Sequence, residues 1–401
     1  MRFVVIIAIL CAGCSVMLGM GIRQSFGLFL RPISETMGTG REVFSLAAAI
    51  SNLVYGLPLV GILADRIGPR SVIIIGSLLY SLGLWMMTTI TTPIGLNLSL
   101  GLVVGLALSG TTFVVVLGAV APLVPPEQRS RTFGIITSIG SSGMFIIPPV
   151  AQLLLTNYGW QSALTTLSVA TLGMILLAFG LPSRASMESQ RVESTEAEEP
   201  FVQMLRKAGQ HSGYLILIAG FFVCGFHVAF ISTHLPAFLK DYGLPDMVAA
   251  GALSMVGAFN MVGSFLFGWL GDQYRKKYLL SFIYFSRAVV IIIFLLFPIT
   301  QFSALLFGGT MGFLWLATVP LTSGAVAQIF GTRYLSTLFG VVFFSHQVGA
   351  FLGVWLGGRI YDSSGSYDPI WYASIALGVL AALIHLPMTD RPVAKLQPAQ
   401  A

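Results

Sequence analysis

Apolar residues run through this chain in stretches about as long as the hydrocarbon core of a lipid bilayer is thick. A helix needs about 20 mostly apolar residues to cross that core, and stretches of this length recur from residue 3 to residue 388. Only 9% of the residues are charged, whereas a soluble domain carries roughly a quarter. The strands of a membrane β-barrel alternate apolar and polar residues, and these stretches do not. The sequence therefore predicts an all-α membrane protein.

Twelve membrane-spanning helices are predicted, and their connections differ in charge. The side that holds the N-terminus carries 15 of the 21 Lys and Arg residues, and the opposite side carries 4. Positive charge marks cytoplasmic connections, so both termini are expected in the cytoplasm, with the chain crossing a bacterial inner membrane many times. The predicted spans are 3–30, 43–63, 71–90, 94–119, 131–154, 161–181, 213–239, 247–270, 278–298, 302–328, 334–359 and 368–388.

Three segments of the first half recur in the same order in the second half. GILADRIGPR after the second span reappears as GWLGDQYRKK after the eighth, at an offset of 207 between Asp65 and Asp272. GIRQSFGLFLRP aligns with GFHVAFISTHLP at an offset of 204, and VAPLVPPEQRSRTFG aligns with VAQIFGTRYLSTLFG at 206. The repeat predicts two six-helix bundles, at 1–182 and 213–390, joined by a charged cytoplasmic linker at 183–212 and followed by a tail at 391–401.

The repeated loop resembles a known signature. Gly-x-x-x-Asp-Arg-x-Gly-x-Arg between spans 2 and 3, repeated in part between spans 8 and 9, is similar to the signature loop of the major facilitator superfamily. The resemblance covers essentially the whole chain and implies two pseudo-symmetric bundles that give alternating access to a central site. Within the superfamily, the chain looks most like the bacterial monocarboxylate porter and oxalate/formate antiporter branch. That branch typically carries an arginine in the eighth span, and sometimes an aspartate one turn earlier, where this chain has Ser264 and Asn260.

The signature loops predict a conformational latch. A carboxylate beside the ends of neighbouring helices accepts hydrogen bonds from arginines or from an exposed helix N-terminus. Such contacts form while the cytoplasmic side is closed and break when it opens. The alternative is that the basic residues only obey the orientation rule. The candidate latch residues are Asp65, Arg66, Arg70, Asp272 and Arg275.

Ionisable residues inside the predicted spans are candidates for the substrate site, because each is costly to place in lipid. All of them are basic, whereas the 15 acidic residues lie in loops or at span ends. An interior with this charge attracts anions and repels cations. We therefore predict a small organic anion of the carboxylate type as the substrate. The basic residues inside the spans are Arg23, His227, His234, Arg287, His346 and His385.

Arg23 and His227 occupy equivalent positions of the two repeats, 204 residues apart. The resemblance places the first helix of each half beside the central cavity, so one basic group from each half is expected to grip one anion. Arginine pairs with a carboxylate in bidentate fashion, and histidine exchanges a proton near neutral pH. The alternatives are an Arg23 that extends outward to the membrane surface and a His227 that only bonds a backbone carbonyl.

Four further residues complete the predicted substrate site. Arg287 is assigned either to the cavity or to a buried polar pair, and His346 to the substrate or to proton coupling. Asn52 and Asn260 are candidates for hydrogen bonds to the substrate, although polar residues also hold membrane helices together. Because no carboxylate is buried, proton-coupled uptake through histidine is the expected mode. Anion exchange, export, and uptake of a larger aromatic or heterocyclic solute such as the vitamin riboflavin are the alternatives.

The sequence contains no catalytic or cofactor motif. A P-loop of the form GxxxxGK(S/T) is missing, so ATP drive within this chain is not expected. Cys11 and Cys14 form a lone CxxC, and they are expected to pack as small hydrophobes rather than hold a metal. We therefore expect no enzyme activity, no cofactor, no metal and no nucleic-acid partner. The expected partners are the small solute, protons or a counter-anion, and membrane lipid, and the protein is expected to be a monomer.

Overall fold

The computed structural model describes residues 2–57, 63–64, 66–111, 113–120, 123–124, 129–183, 201–330 and 335–391, and these residues are almost entirely helical. Ten helical stretches in this part of the chain are long and apolar enough to cross a membrane. One of them makes two spans, because the chain turns at Gly159 with a φ of 80°, which favours glycine. Arg41–Tyr55 supplies the remaining span and is shorter, since residues 58–62 lie outside the described part. The predicted all-α membrane fold is confirmed.

The spans are numbered α1 to α12 in chain order. They are α1 (Arg2–Gln24 continued by Phe26–Met37), α2 (Arg41–Tyr55), α3 (Pro69–Thr89), α4 (Pro93–Val120), α5 (129–158), α6 (160–178), α7 (Ser212–Asp241), α8 (Asp246–Gln273), α9 (Lys276–Leu296), α10 (Gln301–Leu314 continued by Thr318–Phe330), α11 (Leu335–Ser364) and α12 (Asp368–His385).

Two spans that were predicted as continuous, α1 and α10, are each broken. α1 breaks at Ser25, whose hydroxyl donates to the carbonyl of Gly21 (3.0 Å). α10 breaks between Leu314 and Thr318. Backbone groups freed inside a membrane need partners, and in α10 side chains of neighbouring helices supply them. The break in α10 is therefore a site where polar side chains from other helices enter the bundle.

Each half has a basic residue that caps the C-terminal end of its last helix, and the two caps occupy equivalent positions of the sequence repeat. Arg70, at the start of α3, donates to the carbonyl oxygens of Leu181 (2.6 Å) and Phe179 (3.2 Å), just after α6. Lys277, which is 207 residues after Arg70, donates to Met388 (3.2 Å), which is 207 residues after Leu181. A cation at a helix C-terminus satisfies free carbonyls and the negative end of the helix dipole. The last residue of each ten-residue signature loop thus anchors the last helix of its own half.

We expect Arg70→Gln and Lys277→Gln each to lower the free energy of unfolding by about 1 kcal/mol, because each variant removes a cation from a helix end. The measurement is thermal unfolding of the purified protein in detergent. Arg66→Gln is the matched control, since Arg66 is exposed and lies in the same loop. Equal melting temperatures for all three variants and the wild type would contradict the capping role.

The connection between the halves is not without structure. Phe201–Gln210 forms a helix directly before α7. The predicted linker at 183–212 therefore includes a helical segment, whereas residues 184–200 and the tail from 392 lie outside the described part of the chain. The domain boundaries remain a prediction.

In the described part of the chain, the halves meet mainly along three helix pairs: α2 with α11, α5 with α8, and α1 with α7. Glycines allow the backbones to approach closely at these contacts. A Cβ atom on Gly27 of α1 would overlap the carbonyl of Ser232 in α7, and one on Gly257 of α8 would overlap the backbone of Met144 in α5. Close backbone approach through small residues is the usual way in which membrane helices pack. A site between the halves is therefore bordered by α1, α2, α7 and α11.

Candidate functional site

Arg23 lies in α1 just before the break and turns toward α2. Its Nη2 donates to Oδ1 of Asn52 (2.6 Å), and its guanidinium lies 5.5 Å from the centre of the Tyr55 ring. The side chain is half-buried, and within the described residues no carboxylate pairs with it. Asn52 and Tyr55 are three residues apart on one face of α2. The structure thus brings together two of the predicted site residues, Arg23 and Asn52. It leaves the guanidinium of Arg23 able to form further hydrogen bonds.

An aromatic bridge leads from this cation into the other half. The Tyr55 ring meets Phe343 of α11 edge-on at 5.7 Å, and Phe343 lies parallel to His346 at 5.8 Å, one helical turn further along. His346 also lies 4.9 Å from Phe221 of α7, between ring centres. Three ring contacts of under 6 Å each therefore connect Arg23 to a histidine of the C-terminal half.

Two polar atoms beside this bridge are buried without a hydrogen-bond partner. They are Nδ1 of His346 and Oε1 of Gln347. The Gln347 side chain packs against Gly56, directly after Tyr55, so its free oxygen lies at the boundary of α2 and α11. Buried polar groups normally find partners. The boundary between the halves therefore holds three groups that can still form hydrogen bonds. They are the guanidinium of Arg23, Nδ1 of His346 and Oε1 of Gln347.

His227 does not face Arg23 as predicted. Its Nε2 bonds the carbonyl of Ser374 in α12 (2.7 Å), its ring contacts Gly378, and it is fully buried. In the described part of the chain, no hydrogen bond or ring contact joins it to Arg23. The two residues occupy equivalent positions of the repeat, but the side chain of His227 points toward the outer helices of its own half. His346 on α11 takes the cross-half position instead.

Arg287 is fully buried in α9 and reaches the break in α10. Its Nη2 donates to the carbonyl oxygens of Leu314 (2.7 Å) and Trp315 (2.5 Å). Of the two alternatives in the sequence analysis, the structure shows the buried polar contact, with backbone carbonyls as partners. The Nε and Nη1 atoms have no hydrogen-bond partner.

The side chain of Asn260, in α8, forms a hydrogen bond to the backbone at the same break in α10. Its Oδ1 accepts from the backbone N–H of Leu316 (3.0 Å) and from the Ser264 hydroxyl (3.1 Å), and its Nδ2 lies 3.3 Å from Oγ of Ser141 in α5. These bonds do not support the predicted contact between Asn260 and the substrate, because both the oxygen and the nitrogen of its amide already have partners. Asn260 joins α8, α10 and the other half of the protein.

Among the described residues, no latch candidate is seen to pair with another. Asp65 lies outside the described residues, Arg66 is exposed, and Arg70 caps the end of α6. Asp272 is exposed, and Arg275 pairs with Asp390 within the same half (2.6 Å). The hydrogen bond from Arg275 lowers the pKa of the Asp390 carboxyl below its usual range. The latch remains a prediction.

A cross-half contact that the sequence analysis did not identify lies on the side of the membrane opposite the N-terminus. Arg41, at the start of α2, binds both carboxylate oxygens of Asp241 in α7 (2.6 Å each) and donates to the Tyr367 hydroxyl (3.0 Å). Its guanidinium lies 3.6 Å from the centre of the Tyr361 ring. Asp362, near the end of α11, accepts from the backbone N–H groups of Arg41 (2.9 Å) and its neighbour. We call Arg41, Asp241, Asp362 and Tyr367 the far clamp.

A buried histidine, His234, forms a hydrogen bond with Tyr367 of the far clamp. Nδ1 of His234 lies 3.1 Å from the Tyr367 hydroxyl, and its Nε2 lies 2.8 Å from the carbonyl of Val354. A proton on Nε2 satisfies the carbonyl and leaves Nδ1 to accept from the tyrosine. These bonds fix Tyr367 within the C-terminal half, where its hydroxyl accepts from Arg41 of the other half. The only sequence signal was opposite charge at span ends that share that side, which does not identify a pair.

Comparison with known proteins is consistent with this architecture. The family described as the Major Facilitator Superfamily matches residues 6–326. The "Uncharacterized MFS-type transporter YcxA" of Bacillus subtilis (strain 168) is 26% identical over 388 residues, which cover 93% of this chain and 92% of that protein. "Monocarboxylate transporter 13" of Rattus norvegicus is 28% identical over 383 residues, which cover 91% and 85%.

A solved structure shares the fold. It is a bacterial homologue of the human lysosomal transporter Spinster in an inward-facing and unoccupied conformation, and it covers 95% of this chain and 96% of its own. The TM-score is 0.74 at 15% sequence identity. A likeness at this identity establishes the arrangement of the helices and leaves the ligand to be argued from the site.

Proposed function

Because this chain belongs to the major facilitator superfamily, we propose that it is a secondary transporter that takes up a small organic anion of the carboxylate type, together with protons, by alternating access. The resemblance drawn from the signature loops is confirmed at the level of the family, whose members are transporters rather than enzymes. The relatives named as monocarboxylate transporters support the substrate class. The proposal places the protein in a bacterial inner membrane, as a monomer with both termini in the cytoplasm.

The observation that carries the proposal is the bonding of Arg23. It is a permanent cation inside a membrane span, it is half-buried beside the boundary between the halves, and its polar partner is an amide rather than a carboxylate. An unpaired charge in this setting is costly, so an anionic ligand that binds there also neutralises it. A carboxylate also matches the two-pronged geometry of the guanidinium.

The proposal is tested by binding of matched acids and amides. Purified protein is screened by thermal shift with lactate, pyruvate, benzoate and phenylacetate, and with benzamide and phenylacetamide as neutral counterparts. At least one acid is expected to raise the melting temperature, since a ligand that binds the folded state stabilises it, while its amide does not. Equal shifts by an acid and its amide would contradict anion recognition.

Proton coupling is assigned to His346, because it is the histidine beside the aromatic bridge. Uptake of the bound acid into proteoliposomes is expected to rise as the external pH falls, since the carrier loads a proton with each anion. His346→Gln should flatten that pH profile. His227→Gln is the matched control, because His227 is fully buried against α12, and it should keep the profile. A normal profile in His346→Gln, or an effect confined to His227→Gln, would contradict the assignment.

One observation favours a second candidate, a larger aromatic solute. Tyr55, Phe343, His346 and Phe221 form a continuous row of rings between the halves. Stacking on such rings favours a planar heterocycle, of which riboflavin is an example. Riboflavin therefore belongs in the thermal-shift screen. Anion exchange and export remain alternatives for the direction of transport, and insensitivity of uptake to a protonophore would favour exchange.

A further inference from the structure

His234 lies in α7 beside the far clamp and is fully buried. Its Nε2 lies 2.8 Å from the carbonyl oxygen of Val354 in α11, and its Nδ1 lies 3.1 Å from the Tyr367 hydroxyl. A Cβ atom on Gly357 would overlap the imidazole, so α11 packs directly on the ring. Both nitrogens therefore have partners, and the packing holds the ring in this orientation.

The Tyr367 hydroxyl connects His234 to the ion pair between the halves. Its oxygen accepts from Nη1 of Arg41 (3.0 Å), and Arg41 binds both carboxylate oxygens of Asp241. A phenol has one proton to donate, and the Nδ1 atom of a neutral imidazole protonated at Nε2 can accept it. The hydroxyl thus accepts from one half of the protein and donates within the other. A neutral His234 is therefore part of the bonding of the far clamp.

The charged and titratable groups that face His234 and its tyrosine come from α1, α2, α7, α11 and the start of α12. They are Arg31, Arg41, Asp241, Tyr361, Asp362 and Tyr367. Both carboxylates are already bonded by Arg41. In the part of the chain that the structure describes, no carboxylate lies within bonding distance of His234. A positive charge on this imidazole would therefore be buried without a counter-charge, which is costly.

A proton on Nδ1 of His234 conflicts with the formed clamp in two ways. The imidazole and Arg41 would both donate to the one hydroxyl oxygen of Tyr367, and the phenol proton would lose its acceptor. The imidazolium would also lie one hydroxyl away from the guanidinium of Arg41, and like charges repel strongly at short range in a buried setting. The formed clamp therefore favours a neutral His234, and a protonated His234 favours release of the clamp.

We propose that His234 is a proton-binding site that releases the far clamp when the far side is acidic. The inference rests on the proposed function, in which the carrier loads its anion from that side. Once the clamp is released, water reaches His234, and Nδ1 binds a proton from it. Because the released state binds this proton better, acid shifts the equilibrium toward release. The proton returns to the same water when the clamp forms again, so the site controls loading and carries no proton across the membrane.

The expected size of the effect follows from the titration of an ordinary imidazole. A histidine in contact with water is half-protonated near pH 6.5, so most of its titration falls between about pH 7.5 and about pH 5.5. With no proton bound in the formed clamp, the ratio of released to formed clamp rises by about tenfold across that interval.

The experiment measures opening of the far side by alkylation and needs no transported ligand. Ser45→Cys is the probe, because Ser45 is buried in α2 one turn after Arg41 and packs against Gly358 across the boundary of the halves. Purified protein in detergent reacts with a maleimide at the two pH values, and protein without the added cysteine is subtracted. Each rate is divided by that of Asn157→Cys, an exposed position on the far side, which removes the effect of pH on the thiol itself. The corrected rate should rise by about tenfold on acidification.

Three variants of the probe protein locate the titrating group. His234→Gln should abolish the rise, because an amide can keep both hydrogen bonds and binds no proton. Tyr367→Phe should abolish it as well, since the hydroxyl links His234 to Arg41, and this variant gives the answer if His234→Gln does not fold. The matched control is His385→Gln, because His385 is another buried histidine of the same half and bonds the carbonyl of Ala381. It should keep the full rise.

A corrected rate that does not change with pH would overturn the proposal. A rise that persists in His234→Gln or in Tyr367→Phe, or one that His385→Gln removes, would overturn it too. Because no acid is present, these results do not depend on anion recognition. The proposed function is tested separately, by the screen of acids and amides and by the uptake profile of His346→Gln.

Discussion

Arg23→Ala is expected to weaken binding of the tightest acid of the screen by about 100-fold or more, close to 3 kcal/mol, because it removes one partner of a buried charged contact. Arg23→Lys should lose an intermediate amount, since an ammonium cannot reproduce two parallel guanidinium hydrogen bonds. The measurement is a titration of the acid against purified protein by calorimetry or thermal shift. The wild type should bind the corresponding amide weakly, and Arg23→Ala should no longer distinguish acid from amide.

The matched control for Arg23 is Arg31, eight residues further along the same span. Arg31 lies on the far side of the membrane, where it pairs with Glu35 at 3.2 Å and with Asp241 at 3.5 Å, and its side chain is 32% exposed. Arg31→Ala should bind the acid as the wild type does, because Arg31 already pairs with two carboxylates of the protein. Normal acid binding by Arg23→Ala, in a protein that still folds, would make Arg23 a structural residue and remove the main support for anion recognition.

Breaking the far clamp is expected to open the far side of the protein. Arg41→Gln loses a bidentate contact with Asp241 and a stacking contact with Tyr361, which together are worth about 2 kcal/mol. That loss should shift the equilibrium toward the far-open state by about 30-fold. The probe is Ser45→Cys, because the buried Ser45 packs against Gly358 across the boundary of the halves. Its alkylation by a membrane-impermeant maleimide, relative to protein without the added cysteine, reports the opening.

Charge exchange and a weaker neighbouring pair provide the controls for the far clamp. The double variant Arg41→Asp/Asp241→Arg should recover part of the slow alkylation, since it restores an opposite-charge pair between α2 and α7. Arg359→Gln should change alkylation little, because Arg359 is 60% exposed and lies 3.5 Å from Glu42. Unchanged alkylation in Arg41→Gln would show that the glycine contacts, and not the clamp, keep the far side closed.

The spans were predictable because their signal is local. A run of apolar residues has to match the thickness of the bilayer whatever the remainder of the chain does, so each helix can be read from its own residues. The repeat was predictable for a related reason, since equivalent positions keep their spacing. The structure extends that regularity to the pair of caps made by Arg70 and Lys277, whose acceptors are also 207 residues apart.

The breaks and the directions of side chains were not predictable from local pattern. The α10 break depends on Arg287 and Asn260, which reach it from two other helices. Arg23 and His227 share a repeat position, yet one turns toward α2 and the other toward α12, because the repeat sets the backbone register and not the packing around each side chain. The Arg41 and Asp241 pair similarly joins residues 200 positions apart. That contact arises only when the two halves meet.

Counterflow in proteoliposomes tests anion transport by alternating access most directly. Vesicles are loaded with the tightest acid of the screen and diluted into a trace of the same acid in labelled form, without a proton gradient. A carrier that exposes Arg23 alternately to the two sides should accumulate the label transiently above equilibrium, and the acid inside should be required for it. The corresponding amide should produce no accumulation, and Arg23→Ala should abolish the signal. Accumulation of the amide as rapid as that of the acid, or none with any acid that binds, would contradict the proposed function.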